Sequence, residues 1–310
     1  MKTKLWLALL ALYIVWGSTY LAIRFAVETF PPFLQASLRF LISGAILFIW
    51  RYAAGDQKPT ASQWKATAIV GTFLLLGGNG LVSLAEKTVP SGIAALVIAT
   101  SPFWLVLFET FRSGGVKPAR LSILGLVIGF GGVFLLIGPA SITGAHEPIE
   151  PFGAILLLTA PVLWSMGSIY AKGADMPKSG LLSTGMQMLM GSVSLFIVSL
   201  VTGELNGFSL GEVSMRSWWG LIYLITFGSL VGFVSYGYLL HNAPVSLMST
   251  YAYVNPVMAV FLGWLLAGEL LNTRIAVASA IIIGSVILIN YARQTKVKTE
   301  PLQAVAGRNK

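Results

Sequence analysis

Long stretches without a charged or histidine residue are the feature that most constrains how this chain can fold. They cover residues 5–23, 66–85, 88–108, 121–145, 151–171, 179–203, 217–240, 242–268 and 275–292. Each is close to the length of about 20 residues that a helix needs to cross a bilayer. A tenth segment of this length, residues 33–52, carries Arg39 in its interior. The sequence therefore predicts an all-α membrane protein with ten transmembrane helices.

Composition supports this prediction. The chain is 56% hydrophobic and 10% charged, which excludes an ordinary soluble protein. The first segment follows Lys2 and Lys4 as a signal peptide would, but it lacks a small-residue cleavage site before Arg24. We expect it to be retained as the first helix. The lack of cysteine excludes disulfides and thiolate metal sites.

The distribution of Lys and Arg predicts the orientation. If the N-terminus is inside, fifteen of these residues lie in inner segments, and the outer segments hold only Arg24, Lys87, Arg216 and Arg274. Basic residues stay on the cytoplasmic side, so both termini are predicted to be cytoplasmic, in a bacterial inner membrane. This asymmetry explains the net charge of +9, and nucleic acid is not an expected partner.

The second half of the chain repeats the first. An offset of 148 places Trp16 on Trp164, and an offset of 154 places Pro102 on Pro256. We predict a first five-helix repeat, an outer linker, a second five-helix repeat and a basic cytoplasmic tail, at residues 1–140, 141–151, 152–292 and 293–310. Because five is odd, the second repeat enters the membrane from the opposite side. Such inverted repeats are typical of secondary transporters with a binding site between the repeats, although a duplicated scaffold without transport is an alternative.

Four stretches carry a family resemblance: "ALYIVWGSTYLAIRFAV", "LRFLISGAILF", "PSGIAALVIATSPFWLVLFE" and "APVSLMSTYAYVNPVMAVFLGWLLAGE". Through them the chain resembles the EamA-type, ten-helix branch of the drug/metabolite transporter superfamily. The resemblance implies a basket-like bundle whose central cavity is lined by helices one, three, four, six, eight and nine, with helices five and ten at the periphery. It says little about substrate, because members export amino acids, nucleobases, other metabolites or drugs.

Polar residues on the first helix indicate a face turned away from lipid. The helical period of about 3.6 residues places Trp16, Thr19, Tyr20 and Ile23 on one stripe. Polar groups are costly in hydrocarbon, so this stripe should face protein or a cavity. The matching stripe of helix six contains Trp164 and Ser168. Ordinary packing is the alternative reading for each tryptophan.

Helices three, four and nine carry further candidates. Asn79 and Ser83 lie one turn apart on helix three, and a buried amide needs partners, either a neighbouring helix or a ligand. Pro102 and Pro256 each remove a backbone hydrogen bond, which predicts a kink and a role in gating, or a merely static bend. Asn255 precedes the second proline and is predicted to contact substrate.

Aromatic residues near these positions suggest an aromatic-lined cavity for a flat or amphipathic organic solute. The candidates are Phe103, Trp104, Tyr236 and Tyr251. Arg39 lies within a predicted helix, where charge is costly. We assign it to structural pairing, or to an anionic substrate, or to snorkelling toward the outer headgroups.

Acidic residues are absent from the helix centres, where ion coupling is usually organised. Glu86, Glu109 and Glu269 lie at helix ends, so coupling runs through one of them or the protein is a facilitator or exchanger. The two histidines, His146 and His241, lie outside the predicted spanning cores. No catalytic or metal-binding motif is present, and no cofactor is predicted.

The sequence thus favours a secondary transporter that exports small organic metabolites, such as amino acids or related amphipathic solutes, by alternating access. Efflux of drugs or toxic compounds is the nearest alternative. An intramembrane enzyme and an ion channel are weaker ones, because catalytic constellations and filter sequences are missing. The expected partners are a small-molecule substrate and the lipid bilayer. The sequence leaves the oligomeric state open between a monomer and a homodimer, and the Gly125 to Gly129 spacing offers a close-packing face.

Overall fold

A computed structural model describes residues 2–111, 118–137, 149–243, 247 and 250–306, and part of the predicted 141–151 linker lies outside this range. The described chain forms ten main helices. We number them α1 (Lys2–Ala26), α2 (Pro32–Ala53), α3 (Ala61–Ala85), α4 (Ser91–Phe111), α5 (Arg120–Ile137), α6 (Pro151–Ala171), α7 (Gly180–Val201), α8 (Met215–Leu239), α9 (Tyr251–Ala267) and α10 (Thr273–Ala306).

The predicted ten-helix membrane fold is confirmed. Nine of these helices are long and apolar enough to cross a bilayer, and α9 is shorter, with 17 residues. The described residues contain no strand. Apolar side chains such as Val127 and Val201 are exposed on the outer faces of the bundle, as expected for a surface solvated by lipid rather than water.

Helix pairing follows one pattern in both halves of the chain. The two most extensive contacts are α2 with α7 and α5 with α10. In addition, α1 packs on α8 and α9, while α6 packs on α3 and α4. Exchanging the first five helices with the last five leaves this set of pairs unchanged. Contacts of this kind are expected if the two halves adopt equivalent structures.

Small residues allow the closest helix approaches. A Cβ atom on Gly44 of α2 would lie 2.8 Å from Met188 Cβ of α7. A Cβ atom on Gly125 of α5 would lie 2.7 Å from Ile289 Cγ1 of α10, and Gly129 is packed against Phe103. The Gly125 and Gly129 face is therefore a close-packing face, as its spacing predicts, and the packing is within the chain.

Two acidic residues cap helices that are distant in sequence. Glu269, just after α9, accepts hydrogen bonds from Ser91 N at 2.6 Å, Ser91 Oγ at 2.7 Å and Gly92 N at 2.9 Å. Glu204, just after α7, accepts bonds from Phe33 N and Leu34 N. A carboxylate stabilises a helix N-terminus because it pairs with free N–H groups and complements the helix dipole. These caps tie the beginnings of α4 and α2 to the opposite half of the bundle.

The cap on α4 leads to a stability prediction. Glu269→Gln keeps the side-chain shape but removes the charge, so we expect a loss of about 1–2 kcal/mol, seen as a lower melting temperature of the detergent-purified protein. Glu28→Gln is the matched control, because Glu28 makes an exposed ion pair with Arg216 and such pairs contribute little. Equal melting temperatures for Glu269→Gln and the wild type would contradict the capping role.

Candidate functional site

An internal cavity of about 210 Å³ lies between the two halves of the bundle. Helices α1, α3, α4, α6, α8 and α9 contribute to its wall, which is the set that the family resemblance implies, and α2 adds a single residue. The lining residues are Trp16, Thr19, Tyr20, Ile23, Arg39, Gly78, Asn79, Val82, Ala95, Ile98, Ala99, Ser101, Pro102, Leu105, Ala160, Pro161, Trp164, Phe233, Tyr251, Ala252, Asn255 and Pro256.

The structure brings the whole predicted stripe of α1 to the cavity. Trp16 is held there by a hydrogen bond from Nε1 to the carbonyl oxygen of Gly228, 3.2 Å long. Its ring stacks on Tyr236 at a centroid distance of 5.3 Å and meets Phe233 and Tyr251 edge-on. Aromatic packing on three sides therefore fixes the orientation of Trp16.

Of the predicted stripe on α6, only the tryptophan lines the cavity. The ring of Trp164 lies against Gly78, where a Cβ atom would approach Trp164 Cε3 to 2.7 Å. Ser168 lies outside the lining and donates to the Trp164 carbonyl oxygen within its own helix. Pro161, about one turn before Trp164, lines the cavity where Ser168 was expected to do so. The proline was visible in "TAPVLW", but sequence analysis did not assign it to the cavity.

Four other predicted residues also lie outside the lining. Phe103 is completely buried and contacts Phe130 of α5, and Trp104 meets the same ring edge-on. Tyr236 stands behind Trp16, and Ser83 is buried away from the cavity. The placement of these side chains corrects the expectation that they line the same space as the other candidates.

A break in α4 explains where its side chains point. The helix stops at Ile98 and restarts at Ser101, one residue before Pro102. The hydroxyl of Ser101 donates to the Ile98 carbonyl oxygen, which Pro102 leaves without its helical partner. The second half of α4 therefore presents Ser101, Pro102 and Leu105 to the cavity. By contrast, α9 continues as a helix through Pro256.

Two wide helical turns occur at equivalent places in the halves. Residues Thr72–Gly80 of α3 and Leu224–Val231 of α8 are π-helical. The first segment presents Gly78 and Asn79 to the cavity, and the second supplies the carbonyl oxygen that binds Trp16. π-Helical turns are rare and often mark functional sites. Neither segment was predicted from the sequence, where the available signal was the glycine cluster "GGNG" in α3 and the single glycine of "FGS" in α8.

Arg39 points into the bundle rather than toward the headgroups. Its side chain is 4% exposed, and its Nε donates to Ser229 Oγ at 3.0 Å. Its guanidinium carbon lies 4.7 Å from the centroid of the Phe40 ring. No acidic side chain pairs with it within the described part of the chain. Snorkelling is therefore ruled out, and structural pairing is limited to a hydroxyl group and an aromatic ring.

The three acidic residues considered for coupling have different environments. Glu269 is occupied by the cap on α4, and Glu109 forms an ion pair with Lys172. Glu86 is completely buried, and its carboxylate has no hydrogen-bond partner among the described residues. Arg24 donates instead to the backbone carbonyl oxygen of Glu86. Burial, and then the charge of Glu269, hold the pKa of Glu86 well above its usual range, and Arg24 partly opposes them.

Comparison with known proteins assigns the chain to a family. The model of the EamA-like transporter family matches residues 3–138 and 151–291. The chain belongs to the EamA-like transporter family. It is 38% identical to the uncharacterized inner membrane transporter YedA of Escherichia coli over 288 residues, which cover 92% of this chain and 90% of that protein.

More distant relatives match over a similar length of the chain. The uncharacterized transporter YoaV of Bacillus subtilis is 24% identical over 283 residues, covering 90% of this chain and 94% of YoaV. A solved crystal structure matches with a TM-score of 0.62 at 22% identity and covers 94% of this chain and 99% of its own. That similarity supports the fold. Together, the comparisons show a multi-pass membrane transporter.

The buried carboxylate of Glu86 predicts a pH dependence of stability. Folding raises the pKa of this carboxylate. At a pH between its unfolded-state and folded-state pKa values, the group is protonated in the folded protein and ionised in the unfolded protein. Stability should therefore fall as the pH rises above the ordinary pKa of 4.5. Glu86→Gln should flatten the decrease in melting temperature between about pH 5 and pH 8. Glu28→Gln, which changes an exposed acid, should keep the wild-type slope. An identical slope in Glu86→Gln and the wild type would show that Glu86 is not the titrating group.

Proposed function

We propose that the protein is a secondary transporter that moves a small organic solute through this cavity by alternating access, in the direction of export. The observation that carries the proposal is a cavity built by helices of both halves, with aromatic walls and few polar groups. Sites of this kind bind small molecules, and transporters place them between repeats. Family membership supports transport in general.

The wall of the cavity favours a carrier over an enzyme. In the part of the chain that the structure describes, its lining contains no histidine, cysteine, aspartate or glutamate, which are the usual nucleophiles, general bases and metal ligands. Efflux of drugs uses the same kind of apolar cavity and is the second candidate, supported by the tryptophan that each half contributes to the lining.

Alternating access needs parts of the wall that move. We infer that the two π-helical segments and the break before Pro102 are these parts, because their backbone hydrogen bonds are already irregular and less is lost when they bend. They lie on α3, α8 and α4, beside the cavity. The two halves, at residues 1–140 and 152–292, would rock against each other as inverted repeats.

Transport should depend on the two wall tryptophans. We expect Trp16→Ala and Trp164→Ala each to reduce saturable counterflow in proteoliposomes by about tenfold, because each removes aromatic contact worth on the order of 1 kcal/mol or more from the bound solute. The assay would screen labelled amino acids, nucleosides, polyamines and drugs.

The matched control is Trp219→Ala, because Trp219 is 64% exposed and lies away from the cavity lining. Expression and the elution volume on size exclusion should stay unchanged in all three variants. Wild-type counterflow in both Trp16→Ala and Trp164→Ala would refute the assignment of the cavity as the transport site.

Inverted repeats make a topological prediction. Reporter fusions should place the 141–151 segment outside the cytoplasm and both termini in the cytoplasm, because the first repeat crosses the membrane an odd number of times and the basic residues stay inside. A reporter after residue 145 and one at the C-terminus are therefore expected to give opposite signals. Equal signals would disprove the inverted arrangement.

A further inference from the structure

The cavity has an uneven charge. Among the described residues, Arg39 is the one charged residue of the lining, and no acidic side chain belongs to it. The other polar side chains of the wall are neutral, among them Asn79, Asn255 and Tyr20. The described wall therefore carries one buried positive charge and no negative charge.

The guanidinium of Arg39 has hydrogen-bonding capacity left over. Its Nε is used by Ser229, but a guanidinium has further N–H donors on its two terminal nitrogens. Nη2 lies close to Gly228, where a Cβ atom would be only 3.3 Å from it, so the lack of a side chain at Gly228 lets the guanidinium pack on this part of α8. These donors form a planar fork that matches the two oxygens of a carboxylate.

Other groups hold Arg39 in this position. Phe40 stacks near its guanidinium carbon, and Ser229 belongs to the π-helical segment of α8. A charge that served only to join helices would be expected to find an acidic partner, because a buried unpaired charge is costly. The position equivalent to Arg39 in the second half is Gln187, which is neutral and bonds to Ser183 within α7. The cavity therefore has one cationic end.

We propose that the solute is an organic anion whose carboxylate binds the guanidinium of Arg39 while its apolar body lies between Trp16 and Trp164. This inference rests on the proposed transport function and specifies its substrate class. The volume of about 210 Å³ suits a compact solute with a single ring. Asn255 Oδ1 is buried without a partner in the described chain and offers an acceptor for a donor on that solute.

The same arrangement disfavours cations. An ammonium group would be placed in the low-dielectric cavity with a like charge and with no carboxylate to balance it. Polyamines and cationic drugs are therefore excluded from the proposed substrate class. Neutral amides retain the shape of the carboxylate but lose the charge-assisted bonds.

Three probes of nearly equal shape test the inference on the full chain in detergent. Phenylacetate, phenylacetamide and phenethylamine are titrated at constant pH and ionic strength while the melting temperature is recorded. We expect phenylacetate to raise the melting temperature in a saturable manner. The amide should need a concentration at least about tenfold higher for the same rise, and the amine should have no effect. A response to the amide or the amine equal to that of phenylacetate, or no response to any probe, would overturn the inference.

Variants separate binding from folding. Arg39→Gln should abolish the preference for phenylacetate over phenylacetamide, whereas Arg216→Gln, at an exposed site, should retain it. If Arg39→Gln does not fold, the comparison of the three probes on the wild type still tests whether the cavity prefers an anion. Counterflow of neutral or cationic solutes without any anion would leave the transport function standing and refute the role of Arg39. A lack of counterflow for every class would refute both.

Discussion

The bilayer offers no hydrogen-bond partners, and the rest of this structure depends on that constraint. Every polar group on the spanning helices has to be satisfied within the bundle or face an internal space. The side chains of Trp16, Arg39 and Asn255 all turn inward for this reason, and together they define the wall of one cavity. Backbone irregularity is found beside the same cavity, at the π-helical turns of α3 and α8 and at the break in α4.

Several charged residues have a structural role. Glu269 and Glu204 cap helices, and Glu109 pairs with Lys172. Two buried charged residues lack a cap or an ion pair of this kind among the described residues. Glu86 lies just beyond α3 with an unpartnered carboxylate, and Arg39 faces the cavity without an acidic partner among the described residues. We propose that these two groups change their interactions during the transport cycle, Glu86 by binding a proton and Arg39 by binding a substrate.

Much of the site was predictable where the chain is a regular helix. The direction of each side chain on α1 follows from the helical period, so the stripe from Trp16 to Ile23 was placed correctly on the cavity. The family resemblance supplied the set of lining helices. Phe103 and Trp104 were predicted only from their closeness to Pro102 in the sequence, and the structure packs both against Phe130 of α5. Closeness in sequence does not determine which face of a helix a side chain lies on.

The sequence by itself determined the all-helical membrane fold, the number of helices and the polar positions that could not face lipid, because these depend on local hydrophobicity and length. Only the tertiary structure decided which of those positions share one cavity, that Gly125 packs on α10, and that Glu86 is buried while Glu269 is used as a cap. These properties depend on which helices are neighbours and on their rotation about their axes. Contacts between residues far apart in the chain determine both, and no local pattern encodes them.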